Sequence, residues 1–488
     1  MEKNKLKILM VSPEAVPYIK SGGLADAVGA LAETLARAGH EVGVVLPLYS
    51  AIDYTKNKLE PFHSPMEVYT GESRELCAVH RSISSSGVNY YFIEYNAFYS
   101  RDGIYHDPDF KDFTDNAKRY AFLSGAALKL CLDIGFKPDI VHAHDWQGAA
   151  AMAYLKIWYH SDPILSSAKG FLTIHNLGHQ GVYPVENYNY LGFGWENFTS
   201  DKYEDHGRIN LLKGGMFFAD AVNTVSPNYA RETLYGGMDE GLGNFLHSKG
   251  NKYFGILNGA DYSEWDPSTD KFLPANYSSE DLAGKRICKE KLQDEFKLKR
   301  HADVPIIGVV GRFAYQKGID VIASVIDGIL QNMEIQFVIL GTGDKSLEHF
   351  FGDLPKRWPG KAGSYIGYSN ELAHLIEAGS DLFLMPSRYE PCGLNQIYSL
   401  RYGTLPIVRD TGGLTDTVEQ YIEADGSGTG FLFKDLNSTS LYFTVGWAIS
   451  TYYDRKNHMS KMIQSAMAKN FSWEKAAEEY LRAYRGIL

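Results

Sequence analysis

The sequence predicts an α/β protein of two domains, each built on a parallel sheet with helices. Three observations predict it. At 488 residues the chain is far past the length at which one hydrophobic core stops growing. Short apolar runs alternate with amphipathic helical stretches, in two separate series. Polar and glycine-rich clusters follow those runs directly, where open α/β sheets bind ligands.

Strands of the first series are expected at 6–11, 42–46, 90–93, 140–142 and 171–174. Lys3, Lys5 and Lys7 precede Ile8-Leu9-Met10-Val11, an apolar run that then meets Ser12-Pro13-Glu14. It is too short for the apolar stretch of a signal peptide and reads as a strand. In the helix that follows, Leu24, Val28, Leu31 and Leu35 share one face, and Gly39 is a stop. The second series is expected at 306–310, 337–340, 382–385 and 406–408. Between the series, Asn258-Gly259 and Asp266-Pro267 are turn signals, which place a domain boundary near 255–260. The tail reads as a helix with Ser472 at its cap and Trp473, Ala477, Tyr480 and Tyr484 on one face. The expected division is 1–255, 256–470 and a terminal helix over 471–488.

Composition narrows the function. The 48 basic and 59 acidic residues leave a net charge of -11, a poor balance for gripping nucleic acid or an anionic membrane. Neither is expected as a partner. Any positive charge for an anionic ligand must be local. The four cysteines, Cys77, Cys131, Cys288 and Cys392, form no C-x-x-C pair, which excludes a disulfide scaffold and a zinc ribbon and suits a reducing cytoplasm. No apolar stretch approaches the ~18 residues a membrane helix needs.

Six polar clusters follow the predicted strands, and together they suggest a cleft between two facing domains. Gly22-Gly23 and Gly412-Gly413 each open a helix, where backbone N–H groups and the positive helix end can meet an anion. Lys20, Arg312 and Lys317 add charge suited to a diphosphate. A solvated loop lysine is the simpler reading of Lys20 taken without its glycines. No G-x-G-x-x-G follows a strand and no G-x-x-x-x-G-K-[ST] occurs, which argues against an NAD enzyme and a P-loop ATPase. Asp107-Pro108-Asp109 reads as a turn. His142, His144 and His175 have only Asp145 as a nearby carboxylate and no cysteine, so hydrogen bonding is preferred to a metal. No metal and no cofactor is expected. Glu390 follows an apolar strand and is held by Pro391 and Gly393. Two readings stay open for it: a carboxylate facing positive charge on a sugar ring, or a helix-start residue favoured by the macrodipole.

These residues resemble the bacterial glycogen synthase and plant starch synthase family of retaining glucosyltransferases. The likeness spans essentially the whole chain. It is carried by Lys20-Ser21-Gly22-Gly23-Leu24-Ala25-Asp26, His144-Asp145-Trp146, His175-Asn176-Leu177 with Gln180-Gly181, Gly311-Arg312 with Gln316-Lys317-Gly318, the segment from Ser387 to Gln396, Leu400 to Pro406, and Thr411-Gly412-Gly413-Leu414. Ser21, Ala143 and Phe313 depart from the residues usual there, and none removes a charged contact. Tyr398 stands where many other retaining enzymes of this fold carry a second glutamate.

The resemblance implies a two-domain GT-B fold, with two Rossmann-like domains facing a deep cleft and the C-terminal helix crossing back to the N-terminal domain. It implies glucose transfer from ADP-glucose to the non-reducing end of glycogen or another α-1,4-glucan, with retention. The first domain would serve the acceptor side and the second the nucleotide-sugar side. By the same resemblance Lys20, Gly22 and Gly23 bind the donor, Arg312 and Lys317 hold the leaving diphosphate, and Glu390 is the catalytic glutamate. His175 and Asp145 line the sugar and acceptor sides, Asn258 is an active-site asparagine, and Cys392, Gly393, Leu394, Thr411, Gly412 and Gly413 complete the substrate contacts. Two rivals remain: a related transferase with another acceptor, and an inactive glucan-binding relative.

Overall fold

Residues buried on both faces of a sheet read as continuous apolar runs, and such runs form the centre of both sheets here. The computed structural model describes residues 5–109 and 111–488; Lys3 lies outside them. The chain divides into two units. One holds the described residues up to Val225 together with Ala230–Gly259 and Trp473–Leu488, and the other holds Ser226–Tyr229 and Ala260–Ser472.

The strands of the first unit are β1 Lys7–Val11, β2 Glu41–Pro47, β3 Glu60–Tyr69, β4 Arg74–Ile83, β5 Asn89–Glu94, β6 Ile140–His144, β7 Lys169–Ile174, β8 Val182–Pro184, β9 Glu204–Asp205, β10 Arg208–Asn210, β11 Ala221–Thr224 and β12 Tyr253–Gly255. Nine form one sheet in the order β12-β11-β7-β6-β1-β2-β5-β4-β3, while β8, β10 and β9 make a small separate one. The large sheet is parallel from β12 to β5, and β4 and β3 are antiparallel. All five expected strands are present. The hairpin of β3 and β4 lies outside the expected strands, because Pro61 and Pro65 on the edge strand β3 and the charged, half-exposed positions of β4 leave no apolar run to read.

The second unit carries β13 Ile306–Val310, β14 Gln336–Gly341, β15 Ala362–Ile366, β16 Leu382–Met385, β17 Leu405–Arg409 and β18 Phe431–Phe433. Their order is β15-β14-β13-β16-β17-β18, all parallel. The four expected strands are its centre. The two additions are the edge strands, one of mixed polarity and one of three residues.

Helix Gly23–Arg37 buries Val28, Leu31 and Leu35, and Gly39 follows at φ +95°, which favours glycine. The last helix, Trp473–Ile487, belongs to the first unit and buries Trp473, Ala477, Tyr480 and Tyr484. A Cβ on Gly259 would lie 2.6 Å from the Trp473 backbone, so the Asn258-Gly259 turn needs its glycine to let this helix start there. Asp107 Oδ1 accepts from the N–H groups of Asp109 and Lys111, which makes that segment the turn its sequence suggests.

Candidate active site

In the first unit the strand order reverses at β1, which lies between β2 and β6. Ligands of open α/β sheets bind beyond the carboxyl ends of the strands at such a point. The segment after β1 carries Lys20, Ser21, Gly22 and Gly23, all exposed, and Gly22 caps the helix without a side-chain hydrogen bond. Lys20 Nζ lies 2.8 Å from Asp26. A Cβ on Gly22 or Gly23 would meet nothing within 4 Å, and neither glycine has positive φ. Neither the chain's packing nor its backbone therefore requires glycine there.

The ends of β6 and β7 carry the histidines. His142 Nε2 lies 2.6 Å from Thr173 Oγ1, and Thr173 donates to Asn223 at 2.6 Å. His142 must then donate through Nε2 and accept the Tyr484 hydroxyl, 2.8 Å away, at Nδ1. His144 Nδ1 meets His175 Nε2 at 3.1 Å. Burial lowers the proton affinity of all three rings, that of His175 to about 3, so they are neutral. They belong to two hydrogen-bonded groups, His142 with Thr173 and Tyr484, and His144 with His175, with the His142 and His144 rings in contact.

Asp145 begins its helix at φ +50° and accepts the His175 N–H at 2.6 Å and the Asn176 N–H. Burial pushes its carboxyl up to about 7, against the pull of those two N–H groups, and the nearby Glu14 pushes the same way. Glu14 is a residue the sequence did not single out. Its carboxylate is buried and accepts from the Ser21 N–H, the Ser21 hydroxyl at 2.7 Å and the Tyr105 hydroxyl at 2.6 Å. Asn258 follows β12 at the sheet edge, away from the Lys20 segment in strand order, with its Oδ1 buried and without a partner.

In the second unit the order reverses at β13, which lies between β14 and β16. The loops after β13 and β16 meet there. Lys317 Nζ lies 2.6 Å from Glu390 Oε2, and Ser387 Oγ donates to the same oxygen at 3.0 Å. Glu390 is 4% exposed, so this pair holds a largely buried carboxyl. Arg388 ties the two loops together. Its guanidinium makes two 2.6 Å bonds to Asp320, and its N–H donates to the Gln316 carbonyl at 2.8 Å. The Arg312 side chain is exposed and has no partner among the described residues.

The loop after β17 closes on the same place. Gly413 N–H donates to the Glu390 carbonyl at 3.0 Å. Gly412 has φ +48° and an added Cβ would lie 1.9 Å from that carbonyl oxygen; one on Gly413 would lie 2.1 Å from the Cys392 carbonyl. Thr411, Gly412, Gly413 and Cys392 are buried, and Gly393 takes φ +72° ahead of Leu394, which caps helix Asn395–Arg401. Tyr398 stacks on Trp265 with centroids 4.0 Å apart, so this position serves packing.

The geometry agrees with what the chain is similar to. The starch synthase catalytic domain matches residues 7–248, and the glycosyl transferases group 1 domain matches residues 290–482. Glycogen synthase 1 of Geobacter sulfurreducens is 46% identical over 98% of this chain and 96% of its own. Glycogen synthase of Treponema denticola is 43% identical over 98% of both. The catalytic domain of starch synthase IV from Arabidopsis thaliana, solved with ADP and acarbose, superposes with a TM-score of 0.90 at 30% identity over 99% of both chains. Sucrose-phosphate synthase from Thermosynechococcus elongatus, at 18% identity and a TM-score of 0.61, shares the fold. The chain therefore belongs to the starch synthase and glycogen synthase family of glycosyltransferases.

Proposed function

We propose that this protein is a glycogen synthase that transfers glucose from ADP-glucose to the non-reducing end of an α-1,4-glucan with retention of configuration. The observation that carries the reading is the Lys317–Glu390 pair at 2.6 Å at the switch point of the second sheet, with Arg312, whose side chain has no partner among the described residues, in the same segment after β13. Cations there suit a diphosphate, and a carboxylate there suits positive charge on a sugar ring. The ADP and acarbose of the Arabidopsis enzyme support a nucleotide donor and a glucan acceptor.

The bond from glucose C1 to the diphosphate oxygen breaks as ADP leaves toward Arg312 and Lys317. Lys317 carries three N–H donors and Glu390 uses one, leaving others for phosphate oxygens. Glu390 faces the sugar as charge grows on C1, while the start of helix Gly412–Thr417 takes the diphosphate side with the two cations. The acceptor 4-hydroxyl forms the new C1–O bond on the face that ADP leaves, and its proton passes to the departing phosphate oxygen. From the first unit, Lys20 and the open Gly22-Gly23 turn bind the donor, His175 and Asp145 bind sugar hydroxyls, and Asn258 presents its free Oδ1 to substrate. Cys392, Gly393 and Leu394 shape the pocket around Glu390. A cytoplasmic location is part of this reading and is supported by the widely spaced, buried cysteines Cys77, Cys131, Cys288 and Cys392.

The test is ADP release from ADP-glucose with glycogen present, run against UDP-glucose and a panel of other acceptors. Growth of glycogen chains with ADP-glucose supports the proposal. Transfer only to a small sugar or sugar phosphate, or no turnover at all, overturns it.

A further inference from the structure

Ser21 stands between the two features assigned to the donor, Lys20 and the Gly22-Gly23 turn. The segment is exposed, and nothing lies within 4 Å of where its glycines would carry side chains. The Lys20–Asp26 pair at 2.8 Å joins two partly exposed side chains, a weak restraint. Beneath the segment, Glu14 is 2% exposed. One oxygen accepts the Ser21 N–H, and the other accepts the Ser21 and Tyr105 hydroxyls. The Ser12 hydroxyl donates to the Glu14 carbonyl at 2.7 Å and fixes the backbone from which this carboxyl projects. An N–H can only donate, so the group facing Ser21 N–H must accept. A carboxylate accepts from all three donors at once with its charge; an amide can face the Ser21 N–H only with an uncharged oxygen, its NH₂ then turned to the two hydroxyls.

We propose that Glu14 is a positioning residue that latches the Lys20–Gly23 turn in the shape that receives the nucleotide-sugar. It touches no substrate; it acts through the Ser21 backbone. This inference rests on the proposed function for the identity of the ligand, while the latch itself is measurable without turnover.

The experiment compares wild type with Glu14→Gln, Glu14→Asp and Ser21→Ala. Readouts are amide hydrogen exchange at Ser21, melting temperature, and KM for ADP-glucose and for glycogen. Losing a charge-assisted bond to a backbone N–H is expected to speed Ser21 exchange and raise donor KM by roughly tenfold in both Glu14 variants. Glycogen KM should stay within about twofold, a split that a general loss of structure does not give. Ser21→Ala keeps the N–H and should retain protection at its own amide. Unchanged Ser21 exchange in both Glu14 variants overturns the latch. So does a joint rise in both KM values with a lowered melting temperature. If wild type does not use ADP-glucose, the functional reading fails, and the exchange result still decides the latch.

Discussion

The Lys317 ammonium lies 2.6 Å from Glu390 Oε2, across 73 positions of sequence, and the Glu390 side chain is almost closed to solvent. Glu390→Gln keeps the shape and an acceptor for Lys317 but removes the charge. If that charge matters only as the sugar becomes cationic, turnover should fall by roughly two to four decades with donor affinity little changed. Turnover, donor affinity and melting temperature on one preparation decide this. A rate within tenfold of wild type refutes the catalytic role.

Arg312→Ala and Lys317→Ala should differ in stability. In the proposed reaction each removes a cation from the leaving diphosphate, which should cost about two decades or more in turnover. Arg312 is exposed and unpartnered, so its loss should leave the melting temperature within about 1–2 °C. Lys317→Ala strands a buried carboxyl and should lower the melting temperature by several degrees. Equal melting temperatures in the two variants contradict the pairing.

The two glycine pairs should also behave differently. Gly22→Ala and Gly23→Ala meet open space, so they should fold with unchanged or raised stability while donor KM rises about tenfold or more. Gly413→Ala drives a methyl group into the Cys392 carbonyl and should lower melting temperature and turnover together. Normal donor KM in the Gly22 and Gly23 variants would remove the ligand from that turn.

The histidine network makes acid destabilising. Unfolded, a histidine takes a proton near pH ~6.5. Folded, His142, His144 and His175 are held below that by burial, His175 at about 3. Their contribution is full above the unfolded value and is lost as pH falls from there toward the folded values. Asp145 runs the other way: burial raises it to about 7, so its contribution is full below about pH 4 and is lost as pH rises through 7. Melting temperatures from pH 8 to 5 should show a shallower acid fall for His144→Leu than for wild type. Asp145→Asn should gain on wild type as pH rises toward 8. Parallel curves for all three proteins would contradict these assignments.

In the proposed reaction Arg312 and Lys317 supply the positive charge at the leaving group, so turnover should survive excess EDTA. Activity lost to EDTA and restored by magnesium or manganese contradicts this.

Nine of the strands were legible because they lie inside parallel sheets, where both faces are covered and apolar residues run unbroken. The edge strands β3, β15 and β18 were hidden by prolines, mixed polarity or brevity, and β4 and β11, inside the large sheet, by charged residues and by a run of only four residues. The positions of the polar clusters were legible for the same reason: they fall where those runs stop. Their partnerships were not. Nothing near Glu14 in sequence announces Tyr105, 91 residues on, and only the structure shows that hydroxyl and Ser21 closing over its carboxylate. Gly22-Gly23 and Gly412-Gly413 read alike as sequence. Only the carbonyls of Glu390 and Cys392 make the second pair a packing requirement.

The Tyr484 hydroxyl completes the His142 network across 342 positions of chain, and Tyr480 reaches Asn223 in the same interior. The first unit to leave the ribosome is thus the last whose hydrogen bonds can all be made. Until the final turns of Trp473–Ile487 emerge, the imidazole of His142 lacks its donor and the aromatic seat beside Phe171 is open. A nascent chain of this protein therefore carries a first sheet with all its strands but an open seat over His142 and Phe171 through the synthesis of the second unit, until Trp473–Ile487 covers it.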